Sequence, residues 1–339
     1  MEDADARSPV LESGIGSLPS FSAMLQIDPE EQLATRAAWF YFVAGLTQAQ
    51  IGKKLGINRT RVNRLLAQAR ELGLVQITIT GRLSECVSLE NRLKQHYGLD
   101  DAIVVPTPPD ETLIPQVIAS AAGAALAQRL KDGMSVGVGW GRTLRMSLHA
   151  VPRRPLKRLS VVSLMGGLTR GAAMNPYETA SHLADLFDAQ CYYVAAPALT
   201  DTQLMHDLLM AQPMLREVFE KAERVDLAFL SVGELTHGNT LSRLGLVSRE
   251  DVDGLLAAGA VGDICARWID IEGRLVNHPI NSRVVAISPE RLRDIPCVML
   301  ASGGRAKTQA MRGVLKGGLI DVVITDEQTA TAVLAMEQK

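Results

Sequence analysis

A glycine loop with residues suited to anion binding lies near the middle of the sequence. In the stretch SVGVGWGRTL, residues 135–144, three glycines stand at alternate positions between a short apolar run and a predicted helix. Glycines leave backbone N–H groups uncovered, and the start of a helix attracts anions. A guanidinium and a hydroxyl follow, and both can bind a phosphate or vicinal hydroxyls. We therefore predict ligand contacts from Gly139, Gly141, Arg142 and Thr143.

The spacing of these glycines bears on which ligand the loop could hold. The order is G-x-G-x-G, whereas dinucleotide-binding loops carry G-x-G-x-x-G, and no P-loop Lys-Ser or Lys-Thr pair follows. Dinucleotide and ATP binding are therefore poorly supported, and we predict no cofactor. The alternative interpretation is a tight turn between a strand and a helix that binds no ligand.

Further polar and small residues follow other predicted strands in the same part of the chain. Open α/β sheets bind their ligands at the carboxyl ends of their strands, so these residues are candidates for the same site. An aspartate suits paired sugar hydroxyls, and a lysine near a helix start suits a phosphate or a carboxylate. The additional candidate residues are Gly166, Gly167, Thr169, Asn175, Asp263 and Lys307.

Three of these candidates have a purely structural alternative. Asn175 precedes Pro176 and a helical pattern, so it could cap that helix rather than contact a ligand. Asp263 could likewise cap a following helix, and Lys307 could be a solvated surface lysine. The sequence leaves both interpretations open for each residue.

Short β-branched runs alternate with helical stretches from about residue 101 onwards. Examples are the predicted strands AIVVP, MSVGVG, VVAIS and DVVITD, and the predicted helices at 114–131, 176–187 and 306–316. Such alternation is typical of an α/β fold with a mostly parallel sheet. We therefore assign residues 101–339 to one α/β domain that contains the candidate ligand site.

A short basic segment precedes this α/β domain. Residues 30–82 contain eight basic and three acidic residues, a net charge of +5, although the whole chain carries −2. The remainder of the chain therefore carries −7. A compact basic module attached to an acidic body is the pattern expected when only the module binds nucleic acid.

Within the basic segment, residues 47–70, TQAQIGKKLGINRTRVNRLLAQAR, have the pattern of a helix-turn-helix. Two short helical patterns meet at a Gly-Ile-Asn turn, with Thr47 and Asn58 as predicted helix caps. Residues on the second helix that point away from its apolar face can enter the major groove of DNA. The predicted DNA-binding residues are Tyr41, Gln48, Arg59, Thr60, Arg61, Asn63 and Arg64.

These residues have different predicted roles in DNA binding. Thr60 and Arg64 point most directly away from the apolar face and are predicted to reach base edges, where arginine can grip guanine. Gln48 and Arg59 are better placed for phosphates, and Tyr41 for the DNA backbone. The alternative is a surface helical hairpin whose basic side chains are merely solvated.

Three segments complete the predicted organisation. Residues 1–28 are predicted to form a disordered tail, 29–82 the helix-turn-helix domain, and 83–100 a linker helix whose apolar face includes Val87 and Leu93. No signal segment and no apolar run of about 18 residues occurs, so we predict no membrane association. The four cysteines form no CxxC or Cys/His cluster, so no disulfide framework or metal site is predicted, and a reducing cytoplasm fits best.

The helix-turn-helix segment and several motifs of the α/β domain together resemble one family. The segment EEQLATRAAWFYFVAGLTQAQIGKKLGINRTRVNRLLAQAR is similar to the DNA-binding region of the SorC family of bacterial sugar-responsive transcriptional regulators. The motifs GVGWGRT, LMGGLTRG, GAVGDICARWIDIEG, SGGRAKTQAM and LIDVVITDEQTA resemble the effector domain of the same family. The resemblance extends from about residue 30 to near the C-terminus.

This resemblance implies a fold similar to ribose-5-phosphate isomerase and the glucosamine-phosphate isomerases, and it implies a tetramer. It also implies that the loop at 139–143 holds the phosphate or terminal hydroxyl end of a sugar, with Asp263 and Lys307 among its partners. Sugar-phosphate binders of the family often carry small hydroxyl residues in this loop, where Trp140 and Arg142 stand here. A phosphorylated sugar and a free sugar or polyol both stay open as effectors.

Two main functional interpretations follow. The first is a regulator that binds double-stranded operator DNA as a dimer or tetramer, and whose DNA affinity is changed by a small carbohydrate effector. The second is a sugar-phosphate isomerase-like enzyme in which Asp263 or Glu234 moves a proton, because fold alone does not fix function. We prefer the regulator to an enzyme because no carboxylate pair or histidine constellation stands at catalytic spacing. RNA binding is disfavoured because aromatic residues make up only 4% of the chain.

Overall fold

The architecture comes from a computed structural model that describes residues 28–75, 83–168 and 175–337. Internal contacts divide the chain into two compact units, Met1–Val75 and Gln76–Lys339. Within the described ranges, no helix is long and apolar enough to cross a lipid bilayer.

Two predicted features fall mainly outside the described residues. The predicted tail covers residues 1–28, of which the structure describes Asp28 alone. The run LVQITIT at 74–80, whose β-branched residues after the helix-turn-helix predict a further strand, is described only at its first two residues. Both therefore stay predictions.

Three α-helices form the described part of the first unit, residues 28–75, and local side chains determine where each begins. Asp28 accepts a hydrogen bond from Glu30 N–H before the first helix. Thr47 and Gln50 form a reciprocal capping box, and Asn58 Oδ1 accepts a hydrogen bond from the backbone three residues later at 2.8 Å. The predicted caps Thr47 and Asn58 are thus confirmed. The helices are α1 (Pro29–Ala38), continued by a π-helical turn at Trp39–Val43, α2 (Gln48–Leu55) and α3 (Arg59–Glu71).

A small apolar core fixes the angle between α2 and α3. Ile51 of α2 and Val62, Leu65 and Leu66 of α3 are fully buried. Gly56 adopts a left-handed conformation with φ of 68°, which ends α2 and allows the tight turn into α3. The predicted helix-turn-helix is therefore present, with α3 as its second helix.

A seven-stranded parallel sheet forms the centre of the second unit, which confirms the predicted α/β fold. The strands of this unit are β1 (Asp101–Val105), β2 (Ser135–Val138), β3 (Ser160–Gly167), β4 (Gln190–Pro197), β5 (Leu227–Leu230), β6 (Val232–Glu234), β7 (Ala260–Ile264), β8 (Arg267–Asp270), β9 (Val298–Ala301) and β10 (Val322–Asp326). The large sheet has the order β1-β10-β9-β5-β2-β3-β4, and every neighbouring pair is parallel. Strands β6, β7 and β8 form a separate antiparallel sheet.

Helices cover both faces of the parallel sheet. Alternation along β9 shows this, because Val298 and Leu300 pack into one apolar cluster while Met299 and Ala301 pack into another. Parallel strands with both faces buried in this way are typical of α/β domains. The helices of the unit are α4 (Leu83–Tyr97), α5 (Ile114–Arg129), α6 (Arg142–Ser147), α7 (Pro176–Phe187), α8 (Gln203–Met210), α9 (Pro213–Ala222), α10 (Thr240–Arg243), α11 (Arg249–Ala257), α12 (Pro289–Leu292), α13 (Thr308–Lys316) and α14 (Glu327–Ala335).

The predicted linker helix corresponds to α4, which belongs to the second unit by its contacts. It buries Cys86, Leu89 and Leu93 in the core of that unit. Val87, predicted on the apolar face, is instead 46% exposed. The buried face of α4 contains positions 86, 89 and 93. Val87 follows position 86 directly, so its side chain is rotated away from this face.

The predicted strand VVAIS does not form as a regular strand. Within the described chain, this segment makes only isolated antiparallel bridges, from Val284 to Leu199 and from Ala286 to Met165. The apolar run is explained by burial, because its first two residues, Val284 and Val285, are fully buried. A short run of buried apolar residues can therefore be extended without forming a strand of a β-sheet.

Candidate functional site

A cavity of about 190 Å³ lies at the carboxyl ends of the central strands of the parallel sheet. Its wall is made by the loop after β2, the segment from the end of β5 to α10, strand β7 and the turn before α13. Strands β2, β5 and β9 are neighbours, so their carboxyl ends bring these loops together. The predicted contacts that border this cavity are Gly141, Arg142, Thr143, Asp263 and Lys307.

The glycine loop leads from β2 directly into α6. Gly141 has φ of 139°, a conformation that residues with side chains rarely adopt. Arg142 is exposed and Thr143 is buried, and both border the cavity. Gly139 does not border it, because this residue packs under β5, where an added Cβ would lie 2.9 Å from Leu230 Cδ2. Only the second half of the loop therefore faces the cavity.

Two carboxylates (Asp263 and Glu234), one ammonium group (Lys307) and two guanidinium groups (Arg142 and Arg243) form the charged part of the wall. Asp263 is only 3% exposed, and its Oδ2 accepts a hydrogen bond from Ala266 N–H at 2.9 Å. Burial raises the pKa of the Asp263 carboxyl to about 7, although Lys307 opposes this change. Burial also lowers the pKa of Lys307, against the effect of Glu234 and Asp263. The wall thus offers both acceptors and donors to a hydroxylated or anionic ligand.

Asp263 lies within β7 rather than before a helix, so the predicted alternative of a helix cap is wrong. Its neighbour across the antiparallel pair is Gly233 of β6. A Cβ at position 233 would lie 2.0 Å from Asp263 Oδ1. Gly233 therefore leaves the space that the Asp263 carboxylate occupies.

The turn that follows Asp263 has an unusual backbone. Cys265 and Ala266 connect β7 to β8 and have φ values of 51° and 60°. Two-residue hairpin turns with positive φ at both positions favour Asn-Gly, because other residues adopt this conformation at a cost in free energy. The Asp263 side chain, which accepts the Ala266 N–H, helps to hold this strained turn.

We expect Ala266→Gly to raise the free energy of unfolding by about 0.5–1 kcal/mol. Relief of the left-handed strain, about 1–2 kcal/mol, exceeds the loss of one buried methyl group. Thermal and denaturant unfolding measure the change. Ala125→Gly inside α5 is the matched control, because this alanine is also buried but lies in a regular helix, where glycine should lower stability. A fall in stability for both variants would contradict the strain argument.

The recognition face of α3 carries exposed polar and basic side chains. Thr60, Asn63 and Arg64 are exposed, whereas Val62 and Leu65 on the opposite face are fully buried. The directions predicted from helical periodicity are thus observed for these residues. The first unit, taken by itself, presents a face with the composition of a DNA-reading helix.

Several of the predicted DNA-binding side chains at the edges of α3 also make polar contacts within the first unit. Gln48 accepts a hydrogen bond from Arg59 Nε at 3.3 Å and donates one to Asn63 Oδ1 at 3.5 Å. Arg61 forms an ion pair with Glu30 of α1, and its predicted contact with DNA stays a prediction. The guanidinium of Arg61 is therefore engaged within the unit, because α1 packs beside the start of α3.

Tyr41 lies in the π-helical turn after α1. It is half-buried against the core of the first unit and makes an edge-to-face contact with Phe42. Its proposed contact with the DNA backbone stays a prediction.

Comparison with known proteins places both units in one family. Residues 81–335 match the profile described as "Putative sugar-binding domain", and residues 23–71 match sigma-70 region 4. The erythritol catabolism regulatory protein EryD of Brucella abortus is 33% identical over 309 residues, which cover 91% of this chain and 98% of that protein. The chain belongs to the SorC family of sugar-binding transcriptional regulators.

Two further SorC-family relatives span both units. The deoxyribonucleoside regulator of Bacillus subtilis is 31% identical over 308 residues, which cover 90% of this chain and 98% of that protein. The crystal structure of the full-length sorbitol operon regulator SorC from Klebsiella pneumoniae aligns with a TM-score of 0.68 and 27% identity. That alignment covers 90% of this chain and 99% of the SorC chain. These relatives are transcriptional regulators, which fits the regulator interpretation better than the isomerase alternative.

Two predicted SorC-family ligand contacts, Gly166 and Gly167, lie at the end of β3 and do not border the cavity. A Cβ on Gly166 would lie 2.5 Å from the carbonyl oxygen of Pro197, and a Cβ on Gly167 would lie 2.4 Å from the Tyr177 ring. These glycines are explained by the close approach of β4 and of Tyr177 to β3.

Asn175 caps a helix, which is the structural role that the sequence allowed as an alternative to ligand binding. Its Oδ1 accepts a hydrogen bond from Tyr177 N–H at 3.2 Å and caps α7, and its Nδ2 donates to Leu168 O at 3.2 Å. Both ends of the amide are thus used within the protein. The remaining candidate of this SorC-family segment, Thr169, lies outside the described residues.

Sequence reasoning missed several polar residues of the cavity wall in this SorC-family chain. They come from the segment between β5 and the end of α10, which has no glycine-rich motif. The useful signal would have been its position, because polar residues that follow a buried strand face the ligand edge of an α/β sheet. The missed residues are Ser231, Asn239, Thr240 and Arg243.

Proposed function

We propose that this chain binds operator DNA through α3, and that a small carbohydrate bound in the cavity changes its DNA affinity. The observation that carries this proposal is the presence, in one SorC-family chain, of an exposed basic recognition face and a cavity with hydroxyl-binding groups. Such regulation requires that the carbohydrate bind two arrangements of the protein with different affinity.

The proposed effector is a small sugar, a polyol or a phosphate ester of one of these. Asp263 and Glu234 can accept hydrogen bonds from hydroxyls, while Arg142 and Lys307 can donate to hydroxyl or phosphate oxygens. Relatives named for erythritol catabolism and for a sorbitol operon support a polyol. We propose Gly141, Arg142, Thr143, Asp263 and Lys307 as effector contacts, together with the wall residues that follow β5.

We propose a dimer or tetramer that acts in the cytoplasm, where operator DNA is found. One recognition helix contacts few base pairs, and a two-fold operator needs at least two copies. We also propose binding without turnover. This proposal rests on the relatives, which are named as regulators.

A thermal-shift panel tests the proposed effector class. The full chain is heated with erythritol, sorbitol, other small sugars and the corresponding phosphate esters, because binding to the folded state raises the unfolding temperature. We expect at least one member to raise it. The best binder is then incubated with the protein and examined for chemical conversion, which would support the isomerase alternative. No shift with any member would contradict the proposal.

Gly233→Ala is expected to weaken binding of the best carbohydrate about tenfold, the loss expected for one displaced hydrogen bond to a charged group. The added methyl group would occupy the position of Asp263 Oδ1 and displace the carboxylate. Isothermal titration calorimetry measures the affinity.

Gly238→Ala is the matched control for this prediction. A Cβ at position 238 would have no heavy atom within 4 Å, so this variant should bind as the wild type does. Equal affinity in the variants at 233 and 238 would show that the Asp263 carboxylate does not contact the carbohydrate.

A further inference from the structure

Asn239 borders the cavity and is held rigidly at the start of α10. Its side chain is almost completely buried, with 2% exposure. Its Oδ1 accepts a hydrogen bond from Ser242 N–H at 2.8 Å, and its own backbone N–H donates to Thr236 O at 3.0 Å. Leu241 anchors the same short helix in the main core. The position of the Asn239 amide is therefore set by the fold.

In the part of the chain that the structure describes, the other end of this side chain has no hydrogen-bond partner. Because Oδ1 accepts the backbone N–H of Ser242, the remaining terminal atom must be the Nδ2 amide nitrogen. Within the described residues, no acceptor lies within hydrogen-bonding distance of Asn239 Nδ2. Buried polar groups are normally paired, so an unpaired donor in the wall of a polar cavity indicates a missing ligand atom.

The surrounding charges indicate which kind of ligand atom would complete this donor. Arg142 and Lys307 are the better partners for a phosphate or carboxylate, since charged pairs are stronger than neutral ones. Asp263 and Glu234 can only accept when ionised, so they suit the protons of hydroxyls. A neutral amide donor on the same wall suits a neutral acceptor, such as a hydroxyl oxygen.

We propose that Asn239 donates a hydrogen bond from Nδ2 to a hydroxyl oxygen of the bound carbohydrate and so selects ligands that carry this hydroxyl. The inference rests on the proposed carbohydrate-binding function and adds a specificity-determining residue to it. A site that places a buried donor against a substrate hydroxyl discriminates strongly against the analogue that lacks the hydroxyl, because the donor is then left unpaired.

Two variants separate this role from the capping role of Asn239. Asn239→Asp keeps an acceptor oxygen for the cap but removes the amide donor, and Asn239→Ser also keeps a capping oxygen without adding a charge. We expect both to bind the best polyol of the thermal-shift panel at least tenfold more weakly, with little change in unfolding temperature without ligand. Ser242→Ala is the control, because it removes a buried unpaired hydroxyl that does not border the cavity.

Monodeoxy analogues of the same polyol identify the hydroxyl. The analogue that lacks the hydroxyl bonded by Asn239 should bind the wild type and Asn239→Ser with equal affinity, because it cannot form this hydrogen bond with either protein. The parent polyol should bind the wild type more tightly than Asn239→Ser. Equal binding of the parent polyol by wild type and both variants would overturn the assignment of Asn239 and leave the proposed function intact. If the wild type binds no carbohydrate at all, the proposed function fails, and the assignment fails with it.

Discussion

Replacing Arg64 by alanine is expected to lower the affinity for operator DNA about 10- to 100-fold and to leave carbohydrate binding unchanged. Arg64 is exposed on the recognition face of α3, opposite the buried Val62 and Leu65. An arginine in this position can grip a guanine with both arms of its guanidinium. Fluorescence anisotropy with DNA selected from a random pool measures the loss, and competition with unselected DNA measures the specificity ratio.

Two control variants separate base recognition from loss of charge. Arg64→Lys keeps the positive charge but removes the guanidinium group that can donate two hydrogen bonds to one base. This variant should therefore lose specificity while keeping much of its affinity for unselected DNA. Arg36→Ala removes an exposed charge from α1 and should weaken all DNA binding slightly and uniformly. If Arg36→Ala and Arg64→Ala lose operator affinity equally, with no change in specificity, Arg64 does not read bases.

Asp263→Asn is expected to abolish a pH dependence of carbohydrate binding. Burial raises the pKa of Asp263 to about 7, so the wild-type carboxyl is mostly neutral at pH 6 and mostly ionised at pH 8. An ionised acceptor holds a ligand hydroxyl more strongly, and we expect the wild-type affinity for a neutral polyol to rise about tenfold over this range. The asparagine variant should bind equally at both pH values, near the wild-type affinity at pH 6.

The Asp263 carboxyl also makes the stability of the protein depend on pH, but in the opposite direction to the carbohydrate affinity. The folded-state pKa of Asp263 lies above its ordinary value of 3.8, so the folded chain keeps this proton after the unfolded chain has lost it. The contribution of Asp263 to the free energy of unfolding therefore falls as pH rises from about 4 to about 7 and is level above. The asparagine variant should lack this slope. If the wild type and Asp263→Asn showed the same pH dependence of stability and the same pH dependence of carbohydrate affinity, the assigned pKa would be contradicted.

Local signals in the sequence were sufficient for the main elements. Thr47 and Asn58 cap their helices because short polar side chains before an apolar pattern can accept backbone hydrogen bonds. The parallel sheet was predictable because β-branched runs alternate with helices, and the loop at Gly141 because glycine tolerates its positive φ. These features depend on a few neighbouring residues.

Features that depend on distant residues were not predictable from the sequence. Arg61 is paired with Glu30 because α1 packs against α3, a tertiary contact that helical periodicity does not contain. Gly166 and Gly167 accommodate neighbouring chain segments that come close to them only in the folded chain. Asn239 was missed because its environment joins α10 to a cavity built from several separate strands.

The central claim is that carbohydrate in the cavity changes DNA binding. Its most direct test is an anisotropy titration of the full chain on selected operator DNA, with and without a saturating amount of the best carbohydrate from the panel. We expect the dissociation constant to change at least fivefold, as allosteric coupling of about 1 kcal/mol or more requires. Asp263→Asn at pH 8 provides a control. At a carbohydrate concentration below the dissociation constant of this variant for the carbohydrate, we expect its affinity for operator DNA to stay unchanged. An operator affinity that is the same with and without saturating carbohydrate would contradict the account.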